Sequence, residues 1–308
     1  MTATNTILTP DGAAGAVGVD FETTKEIGFY RLVWRRFYSR KVAVVGAVVL
    51  LILALACYVG PIFLPPVTVD LNSTDLAPFT SYHHILGTDD TGRDLLMRNL
   101  LGGRISLLVG ASAMLLTITI ATVLGALSGF FGGIVDSVVT AMTNAVLSIP
   151  SILILVIFAK AFGQSVLTIV LGIALIGWPP TARIVRSVIL SVREKEFVEA
   201  ARAVGTPRLR IITRHLIPNA LGPIVVSASL TIGAAILLES ALSFLGLGIN
   251  PPTSTWGSLL NEGRDKIANP SGIFYSLWPG FMILITVLSF NYIGDALRDA
   301  FDPRSLER

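Results

Sequence analysis

The sequence predicts an all-α membrane protein with six transmembrane helices, and three properties of the chain support this fold class. Of its 308 residues, 53% are hydrophobic and only 14% are charged, whereas charged residues make up about a quarter of a typical soluble domain. The mean hydropathy is +0.73. Several stretches without any Asp, Glu, Lys or Arg are also as long as the roughly 20 apolar residues that cross a bilayer.

Charges, prolines and glycine clusters divide the apolar stretches into separate elements. Residues 1–28, rich in Thr, Ala and Gly, predict a disordered cytoplasmic tail. The six predicted transmembrane helices are 42–63, 105–129, 134–159, 166–184, 221–246 and 275–297. The resulting organisation is an N-terminal unit 29–63, an extracytoplasmic loop 64–103, a five-helix core 104–300 and a cytoplasmic C-terminus 301–308.

The segment before the first predicted span mixes five cations with five aromatic residues between Phe29 and Lys41. Such a segment can lie in the headgroup layer, with its rings at the interface and its cations towards anionic lipid. It can equally be a positive flank that only orients the first span. The sequence leaves both interpretations open.

The distribution of cations predicts the orientation of the chain. With the N-terminus in the cytoplasm, 17 Lys and Arg residues fall in the inner segments and six in the outer segments. Because cytoplasmic loops of membrane proteins carry the excess of Lys and Arg, both termini are expected to be cytoplasmic. The net charge of +3 is therefore attributed to topology, and no nucleic-acid partner is predicted.

Several catalytic classes are excluded by residues that the chain lacks. Its single cysteine, Cys57, and its three histidines provide no CxxC or HExxH metal site. No Lys follows a Gly, so the chain has no phosphate loop that would bind ATP. A non-catalytic protein without a metal or cofactor of its own is predicted.

The segment between the fourth and fifth predicted helices indicates a docking element. Phe197, Ala200, Ala201 and Val204 recur at helical spacing and form one apolar face of a short amphipathic helix. Gly205 suits the position just after a helix, and Pro207 prevents continuation. Small alanines on this face would allow another protein to approach closely.

The same segment resembles the EAA loop of ATP-binding-cassette importer permeases. Glu199-Ala200-Ala201 is followed after three residues by Gly205 and after nine more by a segment that ends in Pro218. The sequence departs from the family pattern at His215 and Ile217, which stand where the pattern has Ile and Leu. Both departures lie outside the predicted coupling helix, within the loop 193–218.

Other segments resemble the dipeptide, oligopeptide and nickel branch of that family, in particular its C-type subunit. They are His84-Ile85-Leu86-Gly87-Thr88-Asp89 with Gly92-Arg93-Asp94, Gly103-Arg104-Ile105-Ser106-Leu107, Leu238-Glu239 through Gly248, and Phe290 through Asp299. The resemblance covers residues 29 to 303. It implies a type I importer permease in a bacterial inner membrane.

The resemblance also implies partners. A second homologous permease would complete the pore, two cytoplasmic ATPases would bind ATP and Mg, and an extracytoplasmic binding protein would deliver the cargo. Membrane lipid surrounds the complex. The expected cargo is dipeptides or oligopeptides, and nickel chelates, glutathione or another small solute remain alternatives.

Glu239 is the only carboxylate well inside an apolar stretch, which makes it a candidate functional residue because an ionised group there is costly unless it faces protein or water. Two roles are open. It can lie in the transport pathway, or it can pair with an arginine such as Arg104, which the sequence slightly favours.

Two other classes of membrane protein fit the sequence less well. A secondary carrier usually has ionisable residues at the bilayer midplane and two related halves, neither of which is evident here. An intramembrane protease of the rhomboid kind needs Ser and His within the membrane, and no histidine falls in a predicted span.

The topology leads to the first testable prediction. Single cysteines placed at Thr4, Asn72, Thr206 and Ser305 in a Cys57→Ser background should differ in their reaction with a membrane-impermeant thiol reagent added to intact cells. Only the cysteine at Asn72 should react, because the cation distribution places the other three inside. Labelling at Thr206 would contradict this orientation and the docking role of the segment around it.

Overall fold

The computed structural model describes residues 29–82, 84–266 and 272–301, and within these ranges the regular structure is helical apart from two isolated β-bridges. The predicted tail 1–28 lies outside the described residues, as do residues 302–308 of the predicted C-terminus. The all-α fold class is confirmed.

Eleven α-helices and one π-helical turn follow each other along the described chain. They are α1 Phe29–Ser39, α2 Lys41–Phe63, α3 Leu95–Phe131, α4 Gly133–Leu147, α5 Ser151–Phe162, α6 Val166–Val192, α7 Glu196–Ala203, α8 Arg208–Ile211, the π turn Ile212–Leu216, α9 Ile217–Phe244, α10 Trp256–Arg264 and α11 Ile273–Phe301. Five spans are long and apolar enough to cross a membrane, with α8, the π turn and α9 forming one of them. Counting the bent pair α4 and α5 as a span gives the sixth.

The third predicted helix, 134–159, is wrong as a single element. The structure divides it into α4 and α5, whose axes meet at 87°. Pro150 stands at the break in an extended conformation, with φ −56° and ψ 125°. A proline disfavours helical geometry in the residue before it and has no N–H to continue the ladder.

The second predicted helix, 105–129, begins too late. In the structure α3 starts at Leu95, so the predicted loop 64–103 ends at Asp94. The Asp94 carboxylate caps the helix by accepting a hydrogen bond of 2.8 Å from the Met97 N–H. Arg98 and Arg104, which suggested a loop, lie inside the helix.

The fourth predicted helix, 166–184, ends too early, because α6 continues to Val192. Arg186 lies in this continuation and is paired with an acidic residue. Its guanidinium forms two hydrogen bonds, of 2.5 and 2.6 Å, to the carboxylate of Asp136 on α4. A bidentate pair of this kind satisfies both charges together.

The connections between helices gather at two opposite ends of the bundle. At one end, the Asn250 N–H donates to the Gln164 carbonyl, and Lys266 pairs with Asp90 at 2.9 Å. The loop 64–94, the turn after α5 and the segment after α9 therefore share this end. The segment 193–216 and the start of α4 lie at the other end, as an alternating chain of spans requires.

The helix α1 is separate from α2 and packs across the start of α2 and the end of α11. Phe37, Ala43 and Ala296 form a small buried cluster there. Arg40, between the two helices, pairs with Asp299 of α11 at 2.5 Å. The basic aromatic segment is thus a helix fixed to the bundle.

A close contact in the bundle joins α3 to α6. A Cβ atom added to Gly125 would lie 2.6 Å from the carbonyl oxygen of Ala182 and 2.9 Å from Cβ of Val185. One added to Gly129 would lie 2.9 Å from Cβ of Ile189. Glycines four residues apart allow two helix backbones to approach closely in this way.

The close contact predicts an unusual response to a Gly→Ala substitution. Gly125→Ala should destabilise the protein by about 1–3 kcal/mol, because the added methyl group collides with backbone of α6. Gly280→Ala is the matched control, since Gly280 also lies inside a helix and an added Cβ would be 3.7 Å from its nearest neighbour. Alanine there should be neutral or slightly stabilising through helix propensity.

Thermal unfolding of the purified variants in one detergent measures both effects. Equal midpoints for Gly125→Ala and Gly280→Ala would contradict the close α3–α6 packing.

Candidate functional site

The predicted docking element is helix α7, and its end is closed by a Schellman motif. The Thr206 N–H donates to the Ala201 carbonyl at 3.0 Å, and the Gly205 N–H donates to the Arg202 carbonyl at 2.9 Å. Gly205 has φ +79°, a conformation that glycine adopts without strain. The expected role of Gly205 as the helix terminator is confirmed.

A buried valine anchors α7 to the membrane helices. Val198 is completely buried and belongs to a core cluster with Val192 of α6, Ile211 of α8 and Leu216 of the π turn. Val198 was missed from the sequence, although it lies three residues before Ala201 and so on the same side of the helix. Its i, i+3 spacing from Ala201 was the signal that could have identified it.

The predicted apolar face divides into two parts. Phe197, Ala200 and Val204 are exposed, with Val204 reaching 85% exposure. Ala201 is partly buried and packs against the core cluster of its own chain, on the side of α7 that faces the bundle. Glu199 is exposed as well.

The exposed residues form an apolar surface on α7. Phe197 is partly covered by His215, whose ring centroid lies 6.3 Å from that of Phe197, and it remains 43% exposed. Phe197, Ala200 and Val204 share one side of α7, and the exposed Glu199 lies on another side of the same helix. Such a combination can seat in a concave surface of another protein.

Behind α7, the chain returns to the bundle through α8 and the π turn. The Ile217 N–H donates to the Ile212 carbonyl, five residues back, and Pro218 follows immediately. In a regular α-helix the ring of Pro218 would collide with the carbonyl of Arg214. The π turn therefore coincides with the point where a wider helical turn relieves this clash. Pro218 itself is exposed.

Glu239 lies on α9 and is completely buried. Its carboxylate accepts hydrogen bonds from the hydroxyl of Ser106 on α3 at 3.0 Å and from that of Ser243 at 2.7 Å. The Ser106 oxygen in turn accepts the backbone N–H of Trp256 at 3.2 Å. The carboxylate thus connects α3, α9 and the start of α10.

The alternative of an ion pair between Glu239 and Arg104 is wrong. Arg104 is exposed, and its guanidinium lies 5.6 Å above the ring of Tyr58 on α2. Arg104 and Ser106 are two residues apart and so point to different sides of α3. Hydroxyl groups, not the arginine favoured from the sequence, hydrogen-bond to the buried carboxylate.

A second polar network lies near the Glu239 cluster. It involves charged residues of the segment His84 to Asp94, one of the segments that resemble the family. The buried Arg98 guanidinium donates to Asp89 at 2.8 Å and to both carboxylate oxygens of Glu262 on α10, at 2.7 and 2.9 Å. Burial raises the pKa of Asp89, but hydrogen bonds from Thr91 and Arg93 and the charge of Arg98 outweigh it and lower that pKa. The loop 64–94 is therefore held against α3 and α10.

The two candidate sites lie at opposite ends of the bundle. Residues 217 and 239 are separated by about 33 Å along α9, at 1.5 Å per residue. The structure does not bring the docking residues and Glu239 together. Within the described ranges, no group of three or more His, Cys, Asp or Glu side chains could hold a metal ion.

Comparison with known proteins identifies the family. Residues 121–307 match the family described as the binding-protein-dependent transport system inner membrane component, and residues 28–78 match the N-terminal transmembrane domain of oligopeptide transport permease C. The chain belongs to this family of transport permeases. The suspected resemblance is confirmed, and with it a multi-pass protein of the inner membrane.

Curated relatives cover most of the chain. It is 42% identical over 272 residues to the oligopeptide transport system permease protein OppC of Haemophilus influenzae, which covers 88% of this chain and 87% of that protein. It is 38% identical to the dipeptide transport system permease protein DppC of Bacillus subtilis, with 88% and 84% coverage.

A solved structure of the MetNI methionine ABC transporter in inward-facing conformations shares the fold of this permease. The TM-score is 0.54, the identity is 20%, and the match covers 68% of this chain and 97% of the other. At this identity the likeness concerns the fold, which is that of a type I importer permease.

The hydroxyl cluster around Glu239 leads to a prediction for two substitutions. Glu239→Leu should destabilise the permease by about 1–3 kcal/mol or more, because it leaves the buried hydroxyls of Ser106 and Ser243 without their acceptor. Glu239→Gln should cost less, because its amide retains an acceptor oxygen for one of them. Transport should fall in the same order.

The thermal midpoint of the purified protein and uptake in cells measure these effects. Leu237→Val, a change at an exposed neighbour on α9, serves as the control. A Glu239→Leu protein as stable and active as the wild type would show that the carboxylate is dispensable.

Proposed function

We propose that this permease is the transmembrane subunit of an ATP-driven importer for dipeptides and oligopeptides and forms half of its translocation pore. The observation that carries the proposal is the exposed apolar surface of α7, formed by Phe197, Ala200 and Val204 on a helix anchored by Val198. A chain with this surface and without a phosphate loop of its own is suited to an ATPase on another subunit.

In this proposal the residues of the loop 193–218 have separate roles. Phe197, Ala200 and Val204 contact a groove on the ATPase, and Glu199 orients the contact by its charge. Ala201 packs α7 onto the bundle, and Gly205 ends the helix. Pro218 lies where α9 begins and receives the displacement of α7.

The proposed complex contains a second homologous permease, two cytoplasmic ATPases that bind ATP and Mg, and an extracytoplasmic binding protein. This subunit is non-catalytic and binds no cofactor itself. Both of its termini face the cytoplasm. The assignment of peptides as cargo is supported by the relatives OppC and DppC, whose names specify oligopeptide and dipeptide transport.

Uptake by the complex reconstituted in proteoliposomes tests the function. Labelled dipeptides and oligopeptides supplied with the binding protein should enter only when ATP and Mg are present on the side of the ATPases. Uptake of a nickel chelate or of glutathione in their place would change the assigned cargo but would still support an ATP-driven importer. Uptake driven by an ion gradient without ATP would contradict the importer.

The exposed surface of α7 predicts which substitutions uncouple the transporter. Ala200→Trp should weaken ATPase binding on the order of tenfold, because the side chain fills the space needed for close approach. Val204→Asp should act similarly by placing a charge in an apolar contact. Both residues are exposed, so both variants should insert and fold normally.

The matched control is Ala200→Ser, which keeps the small size at the same position and should bind nearly as the wild type does. Co-purification of the ATPase and peptide-stimulated ATP hydrolysis measure the effect. Ala201→Trp is less informative, because Ala201 packs against its own chain. Full coupling in the Ala200→Trp variant would place the ATPase contact elsewhere.

A further inference from the structure

An apolar groove runs along the bundle where α1 crosses α2 and α11. It encloses about 540 Å³ and is lined almost entirely by apolar side chains. Val33 and Phe37 of α1 are buried at its base, whereas Trp34 and Tyr38 are 59% and 63% exposed along its edge. The groove is therefore accessible from outside the chain.

Helix α2 forms one long wall of the groove. Ala47 and Leu51 line it one helical turn apart, and Leu51 is 60% exposed. Leu297 of α11 lines the groove from the other side. The groove thus follows the axis of a membrane-spanning helix, which is the direction in which a lipid acyl chain lies.

Positive charge is concentrated on the same side of α1. Arg31 lies three residues before Trp34 and seven before Tyr38, and Arg35 lies beside them, so these four residues share one face of the helix. Both arginines are exposed, and neither forms an ion pair with any described residue. No acidic residue occurs between Phe29 and Ser39.

The neighbouring Arg40 has a different environment, because its charge is compensated by Asp299. The uncompensated charge therefore belongs to α1 and lies where the exposed aromatic rings of Trp34 and Tyr38 mark the edge of the groove. Aromatic rings beside cations are typical of the headgroup layer.

We propose that this groove is a binding site for one anionic phospholipid. An acyl chain occupies the apolar groove between α1, α2 and α11, and the phosphate and anionic headgroup lie against Arg31 and Arg35. An apolar peptide segment would also fill the groove, but it would leave the two arginines without an anion. The lipid satisfies both features, and it adds to the contacts that hold α1 against the bundle.

Native mass spectrometry of the full transporter complex tests the proposal. The complex is delipidated in detergent and titrated with phosphatidylglycerol or with phosphatidylcholine that has the same acyl chains. Wild-type protein should retain phosphatidylglycerol preferentially. The double variant Arg31→Gln/Arg35→Gln should lose roughly fivefold in phosphatidylglycerol affinity for each arginine, equivalent to about 1 kcal/mol each.

Ala47→Phe tests the acyl chain separately, because the ring fills the groove, and it should lower retention of both lipids. Val45→Phe is the matched control on the same helix, since Val45 is 60% exposed and does not line the groove. It should bind lipid as the wild type does. The arginine variant keeps the test decisive if Ala47→Phe fails to fold.

Equal retention of the two lipids by the wild type would overturn the proposal. Unchanged preference in the arginine variant would do the same, as would equal effects of Ala47→Phe and Val45→Phe. Increased lipid binding after removal of residues 2–28 would show that the chain's own N-terminus occupies the groove, and would also overturn it.

Discussion

The packing of the bundle depends on how closely other helices can approach α3. Added Cβ atoms at Gly103, Gly110 and Gly125 would lie 2.6, 2.7 and 2.6 Å from atoms of Trp256, Ile236 and Ala182, respectively. These partners belong to α10, α9 and α6. Because lipid tails are as apolar as the helices, burial of apolar surface does not drive helix association in a membrane, and close packing has to hold the bundle together. The glycines of α3 make this packing possible on three sides.

The close approach of other helices to α3 also brings together the polar groups near its outer end. In a low-dielectric surrounding, Glu239 and Arg98 are tolerable only if every charge has a partner within hydrogen-bonding distance. Ser106 reaches Glu239, and Asp89 and Glu262 reach Arg98. A bulkier side chain at Gly103 would push Trp256 and its backbone N–H away from Ser106. Packing and hydrogen bonding at this end are therefore parts of one arrangement.

The sequence alone predicted the fold class and the place of the short helix α7, because hydropathy and the Phe197 to Gly205 pattern are local properties. Six spans were predicted, and the structure has five long apolar spans together with the bent pair α4 and α5, which gives a sixth when it is counted as one span. It did not predict the break at Pro150, since a proline inside an apolar run can end a helix, kink it or be tolerated. It also did not identify the partners of Glu239. Ser106 is 133 residues distant in the chain, and a serine in an apolar helix gives no signal of what it faces. Long-range pairing of this kind depends on how the helices pack.

Val198 links α7, at the inner end of the bundle, to the helical segment that carries Glu239 near the outer end. Its side chain is buried against Ile211 and Leu216, which lie in the continuous helical segment 208–244 that also carries Glu239. A force that displaces α7 therefore acts through Val198 on the inner end of this segment. A helix resists bending over most of its length, so its outer end has to move or the π turn at 212–216 has to absorb the displacement. In the first case the hydrogen bonds from Ser106 to Glu239 must break or move with α9. In the second case the outer end does not move, and the displacement of α7 ends as local distortion of the π turn. Coupling between the two ends of the bundle thus requires the π turn to be stiffer than the Glu239 cluster.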